Sequence, residues 1–392
     1  MKKIILQMLT ISFVLFTSTS ANAANLTVGN ILVERVGNGT TAITSAATDI
    51  AVLEFTTSGS AIQTISFPST GATQQTDSGS ATSNGSLNSY NGFVAVTGYN
   101  NPSGTASVAS QNTKLTSVLD NTGTVVSRVT YPTTGTVPFA ANNLRSAIAT
   151  GSNTFYASGT GSGTTGGVWY SDGASFTQVS STATGQPTNL RNIEIFNNQL
   201  YVSSSSSGFL GISKIGTGLS TTSGQTVSLE INMGTGASPY GFVMFDTNRD
   251  SLLDTAFIAD DRASAGGGLQ KWTFNGTAWV NSYSLRFDAA AGNLSATASS
   301  GFVGIRGLTG GYDDTTGAFS LFATTTETAS NRIVSVLDNG ATPTTYTTLA
   351  SAGANNVFRG IDIVTVPEPS SATLLGLGFL ALLGVRRLNR KA

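Results

Sequence analysis

The chain has 392 residues, 39% of them hydrophobic and only 10% charged, with 45 Gly and neither Cys nor His. Without cysteine there is no disulfide, thiolate metal site, Fe–S cluster or thiol nucleophile; without histidine a Ser-His-Asp triad and an H-E-x-x-H site are excluded. Of 19 Lys and Arg, six stand near the ends (Lys2, Lys3, Arg386, Arg387, Arg390, Lys391), which leaves 13 to face 19 acids once Glu368 is set aside. A body near −6 with no basic stripe argues against nucleic-acid binding.

Lys2-Lys3 precede an apolar run over 4–16, and small residues then lead to Ala21-Asn22-Ala23. This is the order of a secretory signal peptide, with cleavage expected after Ala23. It implies the Sec export machinery and a signal peptidase. Residues 1–23 are therefore set apart as the signal peptide, 24–365 as the body and 366–392 as a tail.

The body is rich in Thr, Val, Ile, Phe, Gly and Asn and poor in Lys and Glu, which favours strands and turns over helices. Short apolar runs recur throughout, so a folded all-β domain is expected rather than disorder. Strand-like runs stand first at 31–36, 50–55 and 62–67. A lead-in followed by an alternating apolar strand then repeats: Tyr90-Asn91-Gly92-Phe93-Val94-Ala95-Val96, Asn143-Leu144-Arg145-Ser146-Ala147-Ile148-Ala149 and Asn189-Leu190-Arg191-Asn192-Ile193-Glu194-Ile195. Weaker copies are Tyr240-Gly241-Phe242-Val243-Met244-Phe245, Gly301-Phe302-Val303-Gly304-Ile305-Arg306 and Val357-Phe358-Arg359-Gly360-Ile361-Asp362-Ile363-Val364.

Copies about 45 to 60 residues apart leave room for three more strands each, as in a β-propeller. Asn197-Asn198, Asp172-Gly173 and Asn275-Gly276 sit between alternating runs as hairpin turns. Six copies predict a single propeller of six four-stranded blades. The last copy has no partners after it, so 357–364 is expected to close the ring against a strand within 31–67. A β-sandwich or a β-helix is the rival architecture.

One stretch is dense in acids: Asp246-Thr247-Asn248-Arg249-Asp250-Ser251-Leu252-Leu253-Asp254, with Asp260-Asp261 beyond. Oxygens at alternate positions are what Ca²⁺ takes from one tight loop, and Asp246, Asn248, Asp250 and Asp254 resemble EF-hand-like and dockerin-like sites. Ser251 replaces the usual turn glycine and no Glu closes the loop, so a polar hairpin is the alternative. A calcium ion here would be structural. Asp313-Asp314 reads as a turn, and Trp169, Trp272 and Trp279 read as blade core rather than sugar platforms.

The tail opens on Val366-Pro367-Glu368-Pro369. The two prolines stop strand or helix and remove two N–H donors. An uncharged apolar run, 372–385, follows, just long enough with Ser370 and Ser371 to reach the lower limit of a transmembrane helix. Arg386, Arg387, Arg390 and Lys391 would hold the end on the cytoplasmic side. Motif, apolar helix and basic stop together resemble the PEP-CTERM sorting signal of bacterial exported proteins. That resemblance implies cleavage by an exosortase, a membrane protease, after transient anchoring, and release to the cell surface or attachment to extracellular polysaccharide.

The expectation is thus a non-enzymatic surface or matrix protein, with no catalytic motif in view. The alternatives are a propeller enzyme acting on polysaccharide or phosphate esters, or a carbohydrate-binding propeller. They would be favoured if carboxylates, arginines and aromatics converged at one end of the central channel.

Overall fold

Apolar–polar alternation with asparagine and glycine turns gives up-and-down antiparallel sheets, and the computed structural model, which describes residues 24–297 and 300–365, shows them. One short 3-10 turn, Val108–Ser110, interrupts an otherwise all-β set of described residues. Four sheets run through consecutive strands. They begin at Leu144–Ala149, Leu190–Phe196, Pro239–Phe245 and Ile305–Asp313, and each builds outward by antiparallel neighbours. The third carries two short additions, Leu294–Ser295 and Phe302–Val303, on its long strand Trp279–Asp288.

The fifth sheet has nine strands and holds both ends of the described chain. Val357–Ile363 lies against Ile31–Val36, in antiparallel register from Ile31↔Ile363 to Val36↔Val357. Ala47–Phe55 and Ala61–Ser66 follow outward. A second run, Asn88–Tyr90, Phe93–Tyr99, Lys114–Leu119 and Val125–Thr130, belongs to the same sheet. The expected six separate blades are therefore corrected to four blades of consecutive strands and one nine-stranded composite. The cause is Thr76–Ser78, in which Thr76 pairs with Asp49 on one side and with Tyr99 on the other, joining the two runs.

The first strands of the sheets lie side by side around an axis. Val357–Ile363 meets Ile305–Asp313 on one flank and Asn88–Tyr90 on the other, so the propeller-like ring closes. Apolar clusters fill the seams between neighbouring sheets. Phe257, Leu269, Phe287, Leu308, Phe319 and Val334 pack in one, and Ile193, Val202, Tyr156 and Val168 in another. The N- and C-terminal strands share a seam as well, where Ile31, Val33, Phe358 and Ile361 bury against Phe322 and Ile333.

The Asn197-Asn198 turn is a two-residue hairpin: both residues have positive φ, 46° and 56°, and Phe196 pairs with Gln199 across it. The Tyr90–Val96 copy is corrected. Asn91 and Gly92 have φ of 51° and 78° and make a turn, so Tyr90 ends the inner strand and pairs with Phe93 at the start of the next. An Asn-Gly pair turns more readily than it extends. The Gly301–Arg306 copy is likewise split, with Phe302–Val303 on a neighbouring sheet and the inner strand starting at Ile305. The apolar run at 372–385, the sorting motif Val366-Pro367-Glu368-Pro369 and the cleavage residues Ala21 and Ala23 lie outside the described residues. Among those described, no helix is long and apolar enough to cross a membrane.

Ring closure rests on a strand distant in sequence, which predicts that deleting 357–364 removes the cooperative thermal transition of the whole domain. Ile361→Ala, at a side chain 3% exposed, should cost about 2–4 kcal/mol. A deletion protein that melts at the unaltered temperature would refute closure.

Candidate functional site

Five of the six inner strands share a defect at the same height, and Asn88–Tyr90 lacks it. Each of the five has one extra residue opposite its neighbour, a β-bulge: at Arg145, at Arg191-Asn192, at Tyr240-Gly241, at Arg306-Gly307 and at Arg359-Gly360. Bulges bend a strand and re-aim a side chain. Here they bring Arg191, Tyr240, Arg306 and Arg359 to one cleft at the end of the channel, with about 40 Å³ of open volume. That is room for a few waters or one compact group.

The residue after the bulged arginine is small because the neighbouring strand comes close. A Cβ on Gly307 would stand 2.6 Å from the Arg359 carbonyl oxygen, and one on Gly360 1.9 Å from the Leu87 nitrogen. Where this position is not glycine, a polar belt takes over. Ser146 Oγ bonds Asn192 Oδ1 at 2.8 Å, Asn88 Nδ2 donates to Ser146 Oγ at 2.8 Å, and Ser86 Oγ also reaches Asn192.

Arg145 and Arg191 tie their strand to the next one around the ring, and Arg359 ties its strand to the segment at and after Thr76–Ser78. Arg145 Nη1 donates to the Leu190 carbonyl at 3.0 Å and to Asn189. Arg191 Nη1 donates to Ser238 Oγ and the Pro239 carbonyl, both at 2.9 Å. Arg359 Nη2 donates to the carbonyls of Ser78 and Gly79 at 2.9 Å, and Nη1 to that of Ala81. Arg306 pairs with Asp261 at 3.2 Å. Tyr240 lies among them, its ring 4.1 Å from the Arg191 guanidinium carbon and 5.6 Å from that of Arg306. Burial and then the nearby Arg191 charge push the Arg145 pKa down to about 10.

Carboxylates lie beneath the arginines. Burial, followed by the charge of Asp77, raises the Glu34 pKa well above the ordinary range despite Arg359. Burial pushes Asp77 up to about 6, against the opposing pull of Arg359, Asn84 and Ser78. Further along the channel Asp362 rises to about 6 through burial, although Ser89 N–H, Thr309 Oγ1 and Ile363 N–H bond to it. Glu194 is raised by burial and by the charge of Asp362.

The Asp246–Asp254 stretch folds onto its own backbone. Asp246 accepts from Ser251 N–H at 2.8 Å, Asn248 Oδ1 from Asp250 N–H at 3.0 Å, Asp250 from Leu252 N–H at 2.8 Å and Asp254 from Thr247 N–H at 2.9 Å. Among the described residues no three carboxylates gather into a metal-ligating group. Asp313 caps a turn through Thr315 N–H and Thr316 Oγ1, and Asp314 pairs with Arg249. Trp169 and Trp272 are blade core, 3% and 8% exposed, and Trp279 packs on Phe274.

The arginine cleft was not among the residues singled out from sequence. Its signal was an arginine directly after an apolar residue in the copies at 145, 191, 306 and 359, a feature that the blade core does not require.

The address of the chain is written in its tail. Residues 365–390 match the PEP-CTERM protein-sorting motif. The chain carries an exosortase-type sorting signal. Such a motif implies an exported, cell-surface-directed protein handled by the export machinery and an exosortase. No curated protein matches the chain.

Among solved structures, the extracellular domain of a hybrid two-component system from Bacteroides thetaiotaomicron is 12% identical, with a TM-score of 0.37 over 83% of this chain and 34% of that one. The chain therefore spans about a third of the length of that relative. A quinoprotein alcohol dehydrogenase-like protein from the same organism is 9% identical, with a TM-score of 0.34 over 88% and 97% of the two chains. AofleA from Arthrobotrys oligospora is 9% identical, with a TM-score of 0.31 over 89% and 93%. These likenesses are distant and carry no function to this chain.

The raised carboxyls predict an unusual pH dependence. Asp77 and Asp362 hold their protons more tightly in the folded protein, near pH 6, than at the ordinary 3.8. Stability from them is present at low pH and is lost as pH rises through about 6. Stability should be greater at pH 5 than at pH 7.5 by on the order of 1 kcal/mol per group, and the melting temperature correspondingly higher at pH 5. A melting temperature equal or lower at pH 5 would refute the burial of these acids.

Proposed function

We propose that this is an exported surface or matrix protein, released from a PEP-CTERM tail by an exosortase, whose propeller-like domain binds and does not catalyse. The observation that carries this reading is the sorting motif at 365–390, which begins two residues after the ring-closing strand Val357–Ile363. Cleavage near the motif leaves that strand intact and frees a closed ring. Attachment to extracellular polysaccharide would then hold the protein outside the cell.

A binding role is supported by how the carboxylates beside the cleft are engaged. Asp261 is paired with Arg306 and Glu327 with Arg332 at 2.8 Å. A general base must be free to take a proton within hydrogen-bond reach of its substrate. The enzyme reading, a polysaccharide- or phosphoester-active propeller, would instead use Glu194 and Asp362, whose raised pKa values suit a proton donor. The convergence of arginines and an aromatic at one end of the channel favours a ligand-binding domain over a purely structural one.

Intact mass of the protein recovered outside its native cells checks the processing. The expected species lacks 1–23 and the segment after the Pro-Glu-Pro motif, and retention of 374–391 would overturn the sorting. A structural calcium ion at Asp246, Asn248, Asp250 and Asp254 is also proposed. It would have to replace the N–H bonds that close the loop. Millimolar Ca²⁺ should then raise the melting temperature by a degree or two over chelator, and not in Asp250→Ala. Superimposable melts would leave the stretch an acidic hairpin.

A further inference from the structure

We infer that the cleft at the channel end is a binding site for a compact oxyanion: a carboxylate, sulfate or phosphate group gripped by Arg191, Arg306 and Arg359 around Tyr240. It deepens the surface-protein reading by naming the ligand chemistry.

Four of the 13 cations in a body that is net acidic stand at the same bulge of successive inner strands: Arg145, Arg191, Arg306 and Arg359. Like charges are not gathered so closely without a counter-charge. Burial lowers the pKa of both Arg145 and Arg359, and the charges of Arg191 and Arg306 respectively push in the same direction. Acid partners cover only part of this positive charge. Asp261 pairs with Arg306. Glu34 and Asp77 lie beneath Arg359 with burial disfavouring their charge. Glu327 at the rim is held by Arg332. Arg191 spends its guanidinium on neutral oxygens.

The cleft itself is lined by three of these guanidinium side chains, Arg191, Arg306 and Arg359, together with Tyr240. Planar guanidinium forks match oxyanions in geometry as well as charge. The cleft, with about 40 Å³ of open volume, has room for one such group. Tyr240 offers little ring face for stacking, because Arg191 lies over it at 4.1 Å. The ligand therefore enters by its charged group, either as a free inorganic ion or as the acidic substituent of an extracellular polysaccharide.

The test is calorimetric titration of the purified exported protein with inorganic phosphate, sulfate, glucuronate, a uronic-acid oligosaccharide and glucose, at constant ionic strength. The expected result is saturable binding of at least one oxyanion, no binding of glucose, and affinity that falls with added NaCl. Arg191→Gln and Arg306→Gln should each weaken binding at least tenfold, with melts showing that the variants fold. If a Gln variant does not fold, Arg191→Lys keeps the charge but not the fork and should still weaken binding. Arg249→Gln, in the loop at the other end of the Pro239–Phe245 strand, should leave affinity within twofold.

Tighter binding of the oligosaccharide than of inorganic ions identifies polysaccharide as the source, and the reverse order identifies a free ion. No saturable binding of any oxyanion at 10 mM, or unchanged affinity in folded Arg191 and Arg306 variants, overturns the site. A protein that is sorted and cleaved as above yet binds none of these ligands loses this site and keeps the surface-protein reading.

Discussion

The pairing of Val357–Ile363 with Ile31–Val36 is the constraint on which the rest of the structure depends. A ring of sheets has no unpaired inner edge only when its first and last strands meet. Each seam then buries apolar side chains between two sheets. The closing seam is no weaker than the others, with Ile31, Val33, Phe358 and Ile361 all nearly inaccessible. Closure also sets the height at which the inner strands stand relative to one another, and hence the level of their bulges.

That level is where the fold becomes a site. One extra residue in each of five inner strands turns an arginine or tyrosine toward the channel end and lets backbone approach backbone at Gly241, Gly307 and Gly360. Arg145 and Arg191 use part of their donor set to bind the backbone of the next strand around the ring, Arg359 binds carbonyls at and after Thr76–Ser78, and each leaves its Nε unpaired. The same guanidinium groups thus fasten the inner strands and create a concentration of positive charge. Fastening explains why arginine rather than lysine stands here, because only the fork can bond several oxygens at once.

The buried acids are the electrostatic counterpart. Glu34 and Asp77 stand near Arg359, and Glu194 and Asp362 near one another, all with burial as the dominant influence. By contrast Asp338 is held low: burial would raise it, but bonds from Lys271, Tyr283 and Gly340 outweigh that effect. The difference is one of partners. Asp338 has a lysine at 2.8 Å, whereas both oxygens of Glu34 are buried without a hydrogen-bond partner. Buried carboxyls without partners are costly when charged, which is why stability and acidity are coupled in this domain.

Local chemistry is what the sequence determined alone. Alternation and β-branched composition dictated strands. Asn197-Asn198 dictated a hairpin through residues that tolerate positive φ, and the motif, apolar run and basic stop dictated the address. The closing role of 357–364 was legible too, because a strand with no partners after it must find one before it. Tertiary structure decided the rest. Thr76–Ser78 is too short to read as a strand, yet its two-sided pairing turned separate blades into a composite sheet. Asn91-Gly92, read as part of a lead-in, made a turn that sets a separate inner strand, Asn88–Tyr90, before Phe93–Tyr99. The arginine cleft depends on bulges, and a bulge is a mismatch between two strands' registers, so it exists only once both are paired. Each arginine was visible in its own repeat. Their meeting around Tyr240 was not, because it requires strands some 50 to 170 residues apart to stand at one height around a closed ring.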